Sequence, residues 1–393
     1  MRLRELLEGI EVVSLTIPPD TEITQVCADS RAVRKGSLFV AVNGTKCDGE
    51  RYVAQAMAAG AAGVVCEGES SAPCVRVRDA RSALSRLACS WYGHPAKKLT
   101  VLGVTGTNGK TTVTYLLRHI LRRTGLKTGL IGTVENLVEE QAFPAQRTTP
   151  DALQLQRLLA QMAEAGCTYA VMEVSSHALV QHRVDGIGFA VGIFTNLTED
   201  HLDYHGTMDS YCDAKARLFR MSRAAVCNAD DPWTERLLAG TSCRTVRYGL
   251  HAPCDLWAED IVLRGRSAAF TACTAQERAA VRLRVPGLFS VYNTLAAMAA
   301  CGALGIPLKT CAEALADFDG VKGRMEVVPT PEKPYTVLID YAHTPDALEN
   351  VLKTVRGFAK GRLIAVFGCG GDREKEKRPL MGRIAAALAD VAV

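Results

Sequence analysis

Val101-Leu-Gly-Val-Thr-Gly-Thr-Asn-Gly-Lys-Thr-Thr112 decides how this chain folds. Its first residues are apolar and β-branched, as in a strand covered on both faces of a parallel sheet. Glycines follow at 103, 106 and 109, and a helical pattern opens at Lys110 and runs to about residue 123. Strand, glycine loop and helix N-terminus in that order make a phosphate cradle. Glycines let backbone N–H groups close on phosphate oxygens, and the helix end adds unpaired donors and a positive dipole end. Gly106, Thr107, Asn108, Gly109 and Thr112 are thus expected around the phosphates of ATP. Lys110 should reach the outer phosphates, and the Thr111 hydroxyl should ligate the Mg²⁺ that travels with ATP. Val104 stands where the commonest phosphate loop has glycine, so the spacing is G-x-x-G-x-x-G-K-T-T.

Outward from this loop the chain reads as an α/β protein in three blocks, 1–97, 98–324 and 325–393. The first holds short β-like runs at 37–42, 63–66 and 74–77 and an alanine-rich helix at 51–59. The second alternates strands (99–104, 168–174, 189–194) with helices (110–123, 151–165, 209–221), the pattern of a parallel sheet. Runs at 266–273 and 280–285 suggest an antiparallel excursion, followed by an apolar helix at 292–304. The third has strands at 336–340 and 362–368, helices at 345–355 and 379–388, and a run at 390–393 that opens another strand. This last unit is therefore expected to be incomplete.

At 393 residues the chain has room for two to four domains, at roughly 100–200 residues each. With 48% hydrophobic and 22% charged residues, a net charge of +4 and no block of like charge, the expectation is a globular protein without nucleic-acid or membrane partners. The fourteen cysteines contain no C-x-x-C pair, which argues against a zinc ribbon. Free thiols point to a reducing compartment, hence the cytoplasm. Residues 2–6 are not followed by a signal-peptide core, and the apolar stretch at 296–308 is shorter than the ~20 residues of a membrane span.

Five further segments carry chemistry. They are Thr148-Thr-Pro150, Met172-Glu-Val-Ser-Ser-His-Ala-Leu179, Phe194-Thr-Asn-Leu-Thr-Glu-Asp-His-Leu-Asp-Tyr-His-Gly206, Asp340-Tyr-Ala-His-Thr-Pro-Asp-Ala-Leu348 and Val366-Phe-Gly-Cys-Gly-Gly-Asp-Arg373. With the glycine loop, and in this order, they resemble the Mur ligase superfamily, the ATP-dependent amide-bond ligases of peptidoglycan assembly. The match is to the branch that adds the third residue of the stem peptide, and it runs from about Ala28 to the last residue. The resemblance implies a UDP-binding first domain, a central P-loop parallel-sheet domain and an incomplete Rossmann-like C-terminal domain. It implies as substrates ATP, a UDP-muramoyl dipeptide and a free amino acid. The Gly-Cys-Gly-Gly-Asp-Arg373 and Lys377-Arg-Pro-Leu-Met381 segments favour meso-diaminopimelate over lysine. A folylpolyglutamate-type ligase would lack the 201–205 and 340–348 motifs. A P-loop ATPase or kinase would leave the third block unexplained, and a non-catalytic binding protein or fragment is the reading that the early end of the chain allows.

Residue roles follow by the same resemblance. Glu173 should hold Mg²⁺ beside Thr111, and His201 should ligate a second metal. Lys215 matches a lysine that the family carbamylates with CO₂. Read without the resemblance, His201 is a hydrogen-bonding histidine and Lys215 a solvated lysine on a helix. Ala28, Ser30, Thr45, Lys46 and Cys47 match positions that hold UDP, and Thr148, Thr149, Ser175, Gln181 and Arg183 match the muramoyl-peptide channel. Arg147 stands where some relatives have Asn. Arg324, Asp340 and His343 should approach the nucleotide, and so should Asn293, which reads equally as a polar residue on a helix surface. Arg373 matches the arginine that meets the incoming amino acid.

Overall fold

The computed structural model describes residues 1–44, 48–251, 253–369 and 376–393. The first block is built on a five-stranded sheet in the order Val12–Leu15, Cys74–Val77, Gly63–Cys66, Ser37–Val40, Gln25–Cys27. All neighbours are parallel except the first pair. The helix Ala80–Trp91 covers it, started by the Asp79 carboxylate, which accepts from the backbone N–H groups of Arg81 and Ser82. The helix expected at 51–59 is a 3₁₀ turn, Gly49–Tyr52, running into a short α-helix, Val53–Ala58. Val12–Leu15 was not foreseen. It is an edge strand that exposes three of its four residues, so it lacks the in–out alternation that marks a half-buried strand.

An eleven-stranded sheet forms the centre. Seven strands are parallel, in the order Leu256–Arg264, Arg244–Gly249, Ser222–Asn228, Phe189–Phe194, Thr100–Thr105, Tyr169–Glu173, Thr128–Ile131. Ser267–Cys273 and Arg278–Leu283 extend one edge antiparallel, as the excursion expected there, and Glu135–Val138 and Gln141–Pro144 extend the other. One face is packed by Lys110–Arg123, Leu288–Ala303 and Leu308–Leu315, the other by Ala152–Glu164 and Met208–Arg220. Lys110–Arg123 buries Val113, Leu116, Leu117, Ile120 and Leu121, the i, i+3, i+4, i+7, i+8 stripe of a helix docked on a sheet. Each such side chain contributes about 1.5–3 kcal/mol by leaving water, so the helix is held firmly with its N-terminus at the sheet's carboxyl edge.

In the third block Glu326–Val328 pairs antiparallel with Val337–Ile339. Ile364–Ala365 pairs parallel with Val391–Ala392 through the helix Lys377–Leu388, a β-α-β unit. The strand expected at 362–368 is thus two residues long. Ile364 and Ala365 lie opposite Val391 and Ala392, Phe367 N donates to Val393 O at 3.2 Å, and Val366 between them is 77% exposed. The helix Pro345–Arg356 lies against Lys377–Leu388, and Arg356 donates to the Leu388 carbonyl at 2.9 Å. Among the described residues the thirteen cysteines are free, and no helix is long and apolar enough to cross a membrane.

Candidate active site

The glycine loop leaves the strand Thr100–Thr105 at the middle of the sheet's carboxyl edge, where open α/β sheets bind ligands. Gly106 has φ +148° and Gly109 φ +87°, values that side chains rarely tolerate. A Cβ would also collide with Thr195 Oγ1 at Gly106 and with Asn293 Oδ1 at Gly109. The segment after Phe189–Phe194 pins the loop. Asn108 N donates to Asn196 Oδ1 at 2.9 Å, Thr195 Oγ1 to Asn108 O at 2.6 Å, and Thr198 N to Thr107 Oγ1 at 3.0 Å. Lys110 Nζ folds back onto the carbonyls of Gly106 and Thr107, at 3.0 and 2.8 Å.

Glu173, buried at the end of Tyr169–Glu173, faces the loop. Thr111 Oγ1 lies 3.0 and 3.1 Å from its two oxygens, and Thr133 donates from its backbone N at 2.7 Å and its hydroxyl at 3.1 Å. Arg324 Nη2 donates to Thr111 Oγ1 at 3.1 Å, and its guanidinium lies 4.6 Å from the centre of the Tyr341 ring. A hydroxyl and a carboxylate in contact beside a phosphate loop are hard oxygen donors, so the residues present fit Mg²⁺. Among the described residues no group of three or more His, Cys, Asp or Glu could hold a metal by itself, so ligands from phosphate or water are needed to complete the shell.

Lys215 lies under the loop. It is 1% exposed, donates to Gly106 O at 2.8 Å and sits 4.3 Å from the centre of the Tyr211 ring. Burial, and then the Lys110 ammonium, pull its pKa well below the ordinary lysine value. The reading of Lys215 as a solvated side chain is therefore corrected, because its face of the helix Met208–Arg220 packs on the sheet. His201, in a left-handed backbone (φ +57°), has Nε2 3.4 Å from Asp200 Oδ2 and its ring edge-on to His177.

A cavity of about 910 Å³ collects Thr107 to Thr112, Thr148, Glu173, His201, Asn293, Arg324, Asp340 and His343. Asn293 is 7% exposed and turned to the loop, so it is not the helix-surface residue that sequence equally allowed. Asp340 accepts from the backbone N of Met325 and of Ala342, each at 2.8 Å, and burial raises its pKa.

The chain matches the Mur ligase family catalytic domain over residues 22–92, the Mur ligase middle domain over 104–301 and the Mur ligase glutamate ligase domain over 323–393. The chain belongs to the Mur ligase family. It is 48% identical over 403 residues to the UDP-N-acetylmuramoyl-L-alanyl-D-glutamate–2,6-diaminopimelate ligase of Gloeobacter violaceus, covering the whole chain and 81% of that protein. It is 48% identical over 404 residues to the ligase of the same name from Geobacillus kaustophilus, covering the whole chain and 82% of that protein. A solved structure of a ligase of this name superposes with a TM-score of 0.80 at 33% identity, over all of this chain and 81% of the other.

In this Mur ligase the expected channel residues form a second polar cluster beside the cavity. Thr149 Oγ1 donates to Glu173 O at 2.9 Å, Ser175 N to Thr149 Oγ1 at 3.0 Å, and Arg183 Nη1 to Thr149 O at 2.9 Å. Arg183 Nε also reaches Gln181 Oε1 at 3.1 Å, and Gln181 reaches the Tyr204 hydroxyl at 3.3 Å. Thr148 joins cluster and cavity through Thr133 Oγ1 at 3.1 Å. Ala28 and Ser30 do not line the cavity. They follow the edge strand Gln25–Cys27, and Ser30 Oγ donates to Gln55 Oε1 at 3.1 Å. Thr45, Lys46, Cys47 and Arg373 lie outside the described residues. Sequence reading passed over Asp200, Asn196, Thr133 and Asp346, all cavity-lining. Asp200 had a signal, a carboxylate beside His201 in the motif already quoted, whereas Thr133 had none.

Proposed function

We propose that this Mur ligase is a cytoplasmic enzyme that spends ATP to join meso-diaminopimelate to UDP-N-acetylmuramoyl-L-alanyl-D-glutamate. One observation carries the reading. The phosphate loop with its Thr111–Glu173 pair is continuous, through Thr133, Thr148 and Thr149, with the Ser175–Gln181–Arg183 cluster. A terminal phosphate on the loop and a carboxylate in the cluster would then be neighbours. The names of the relatives supply the substrates.

The D-glutamyl carboxylate oxygen attacks the γ-phosphorus, the bond to the β,γ-bridging oxygen breaks, and ADP leaves an acyl phosphate. The amine nitrogen of diaminopimelate then attacks the acyl carbon, phosphate departs with its electron pair, and the nitrogen loses a proton to give the amide. Two anions must meet in the first step, and the chain supplies cations for it. Lys110, freed from its own loop carbonyls, pairs with the outer phosphates, and Gly106 to Thr112 enclose them. Arg324 steadies the Thr111 hydroxyl. Thr111 and Glu173 would hold Mg²⁺, which would screen the phosphate charge, and His201 would offer a ligand to a second ion.

Lys215 would be carbamylated. Its neutral amine adds to the carbon of CO₂ and loses a proton, and the resulting carbamate carboxylate would offer oxygen ligands to a second ion. Asn293, Asp340 and His343 hold the nucleotide. Thr148, Thr149, Ser175, Gln181 and Arg183 hold the muramoyl peptide, and Ala28, Ser30, Thr45, Lys46 and Cys47 hold UDP. Arg373 meets the amino acid. The functional units would be 1–97 for UDP, 98–324 for ATP and 325–393 for the amino acid. The test is ADP release by the purified chain with ATP, Mg²⁺ and both substrates, omitting each in turn, with the tripeptide product weighed by mass spectrometry. ADP release that ignores the UDP-muramoyl dipeptide, or lysine accepted in preference to diaminopimelate, would refute it.

A further inference from the structure

Gln181 and Arg183 join the cluster with Thr149 and Tyr204, but the residue between them turns the other way. His182 takes a left-handed backbone, φ +57°, just after the helix Ser176–Val180. Its ring and carbonyl meet the first block. His182 Nδ1 lies 2.8 Å from Asp185 Oδ2, on its own loop, and Nε2 lies 3.6 Å from Asp79 Oδ2, at the start of the helix Ala80–Trp91. The His182 carbonyl accepts from Ser85 Oγ, and Asp185 Oδ2 also accepts from Ser82 Oγ at 2.9 Å. Cys89 Sγ closes on the Asp185 carbonyl at 3.7 Å. Positions 79, 82, 85 and 89 recur every three or four residues, so one face of that helix addresses this loop. Val184 and Ile187 are buried beneath it. The imidazole thus sits between two carboxylates, one from each block. Among cations, Arg217, on Met208–Arg220, disfavours the charged His182 ring, and Arg86, on Ala80–Trp91, favours the Asp185 carboxylate.

We propose that His182 is a positioning residue for the UDP-muramoyl dipeptide, clasping the 181–187 loop to the helix Ala80–Trp91 so that Gln181 and Arg183 stand in fixed register with the UDP-binding block. The inference rests on the functional reading above. A substrate whose nucleotide end lies on one block and whose peptide end lies on another binds best when the two halves of its site are already aligned. Every degree of freedom left between them must be removed on binding. The clasp removes it beforehand, and it touches neither the phosphate loop nor the Thr111–Glu173 pair.

The experiment is calorimetric titration of the full chain with UDP-N-acetylmuramoyl-L-alanyl-D-glutamate and, separately, with MgATP. Losing hydrogen bonds to charged partners should weaken the UDP-substrate Kd of His182→Ala about tenfold. Its MgATP Kd should stay within about twofold. His182→Asn, whose side chain tolerates the left-handed backbone and can still donate to Asp185, should recover part of the loss. The Asp185 hydrogen bond holds the imidazole's pKa above its ordinary value. Charged, it faces both carboxylates, so wild-type affinity should be greatest below that pKa and weaken as pH rises through it. His182→Ala and Asp79→Asn should flatten this profile. An unchanged UDP-substrate Kd in both His182→Ala and Asp79→Asn overturns the proposal, as does a matched loss for both ligands. Should His182→Ala not fold, His182→Asn and Asp79→Asn decide by the same criteria. A wild-type chain with no affinity for the UDP-muramoyl dipeptide overturns the functional reading instead, a separate and recognisable result.

Discussion

Two lysine side chains, Lys110 and Lys215, converge on one carbonyl, Gly106 O. Lys110 is on the cavity side of the loop and Lys215 is buried beneath it. Their different surroundings give them different tasks. Lys110 bonds only to carbonyls of a loop that Asn196, Thr195 and Thr198 already hold, so its loss should spare the fold. Lys110→Ala is expected to lower ATP turnover by about 10²–10³-fold, the usual effect of deleting one charge aimed at a reacting anion, with the melting temperature unchanged. Wild-type turnover in the folded variant would show that the loop serves another purpose. Lys215 has a depressed pKa, so its amine is neutral nearer to neutral pH than an exposed lysine's. Carbamylation needs that neutral amine. Activity should fall as pH drops through the depressed pKa and when CO₂ is stripped from the buffer, and should return with bicarbonate. A density map at neutral pH with bicarbonate and Mg²⁺ that shows a bare amine at Lys215 would end the carbamate assignment.

At the scale of elements, two short helices and the longer Met208–Arg220 bring aromatic rings together below the site. His177 of Ser176–Val180 lies 4.2 Å from the Tyr204 ring and 5.4 Å from His205, both of Leu202–His205. His205 in turn lies 5.0 Å from Tyr211 of Met208–Arg220. Burial lowers the pKa of both histidines to about 4, so they are neutral in the fold. In the unfolded chain they titrate near 6.5. Unfolding therefore takes up protons between these two values, and stability contributed by the neutral pair is present above about pH 6.5 and lost progressively toward pH 4. The metal-free protein should show a melting temperature that declines across this window, with a shallower decline in His205→Phe. Identical slopes for the two proteins would remove the ring cluster as the cause.

For the whole molecule, the third block meets the phosphate loop through one carboxylate. Asp346, in the first turn of Pro345–Arg356, accepts from Asn108 Nδ2 at 2.9 Å and from Thr198 Oγ1 at 3.2 Å. Arg324, just before that block, reaches Thr111. Hydrogen bonds to a charged carboxylate contribute only about 1.5–3 kcal/mol each, so their removal should be felt locally. Asp346→Ala should raise amide exchange about tenfold in both the helix Pro345–Arg356 and loop 106–109, while the strand Thr100–Thr105 keeps its protection. Faster exchange in the helix alone would mean that Asp346 does not couple the block to the loop.

The sequence by itself determined what depends on near neighbours along the chain. The strand–loop–helix order at 100–123 was legible, since glycine spacing, helical period and a lysine at the helix start are all local. So were three of the seven parallel central strands, Thr100–Thr105, Tyr169–Glu173 and Phe189–Phe194, whose apolar runs record burial on two faces, whereas Thr128–Ile131, Ser222–Asn228, Arg244–Gly249 and Leu256–Arg264 were passed over. The chemistry of Glu173, His201 and Lys215 entered only through motif resemblance. Only the tertiary structure decided what those residues meet. Thr111 finds Glu173 across 62 residues and Lys215 finds Gly106 across 109, because strand order in the sheet, not distance along the chain, sets which ends lie side by side. A lysine between two alanines carries no sign of which helix face will be covered, and so Lys215 read as solvated. Asn293 lay on an apolar helix with its direction unset until that helix packed against Gly109.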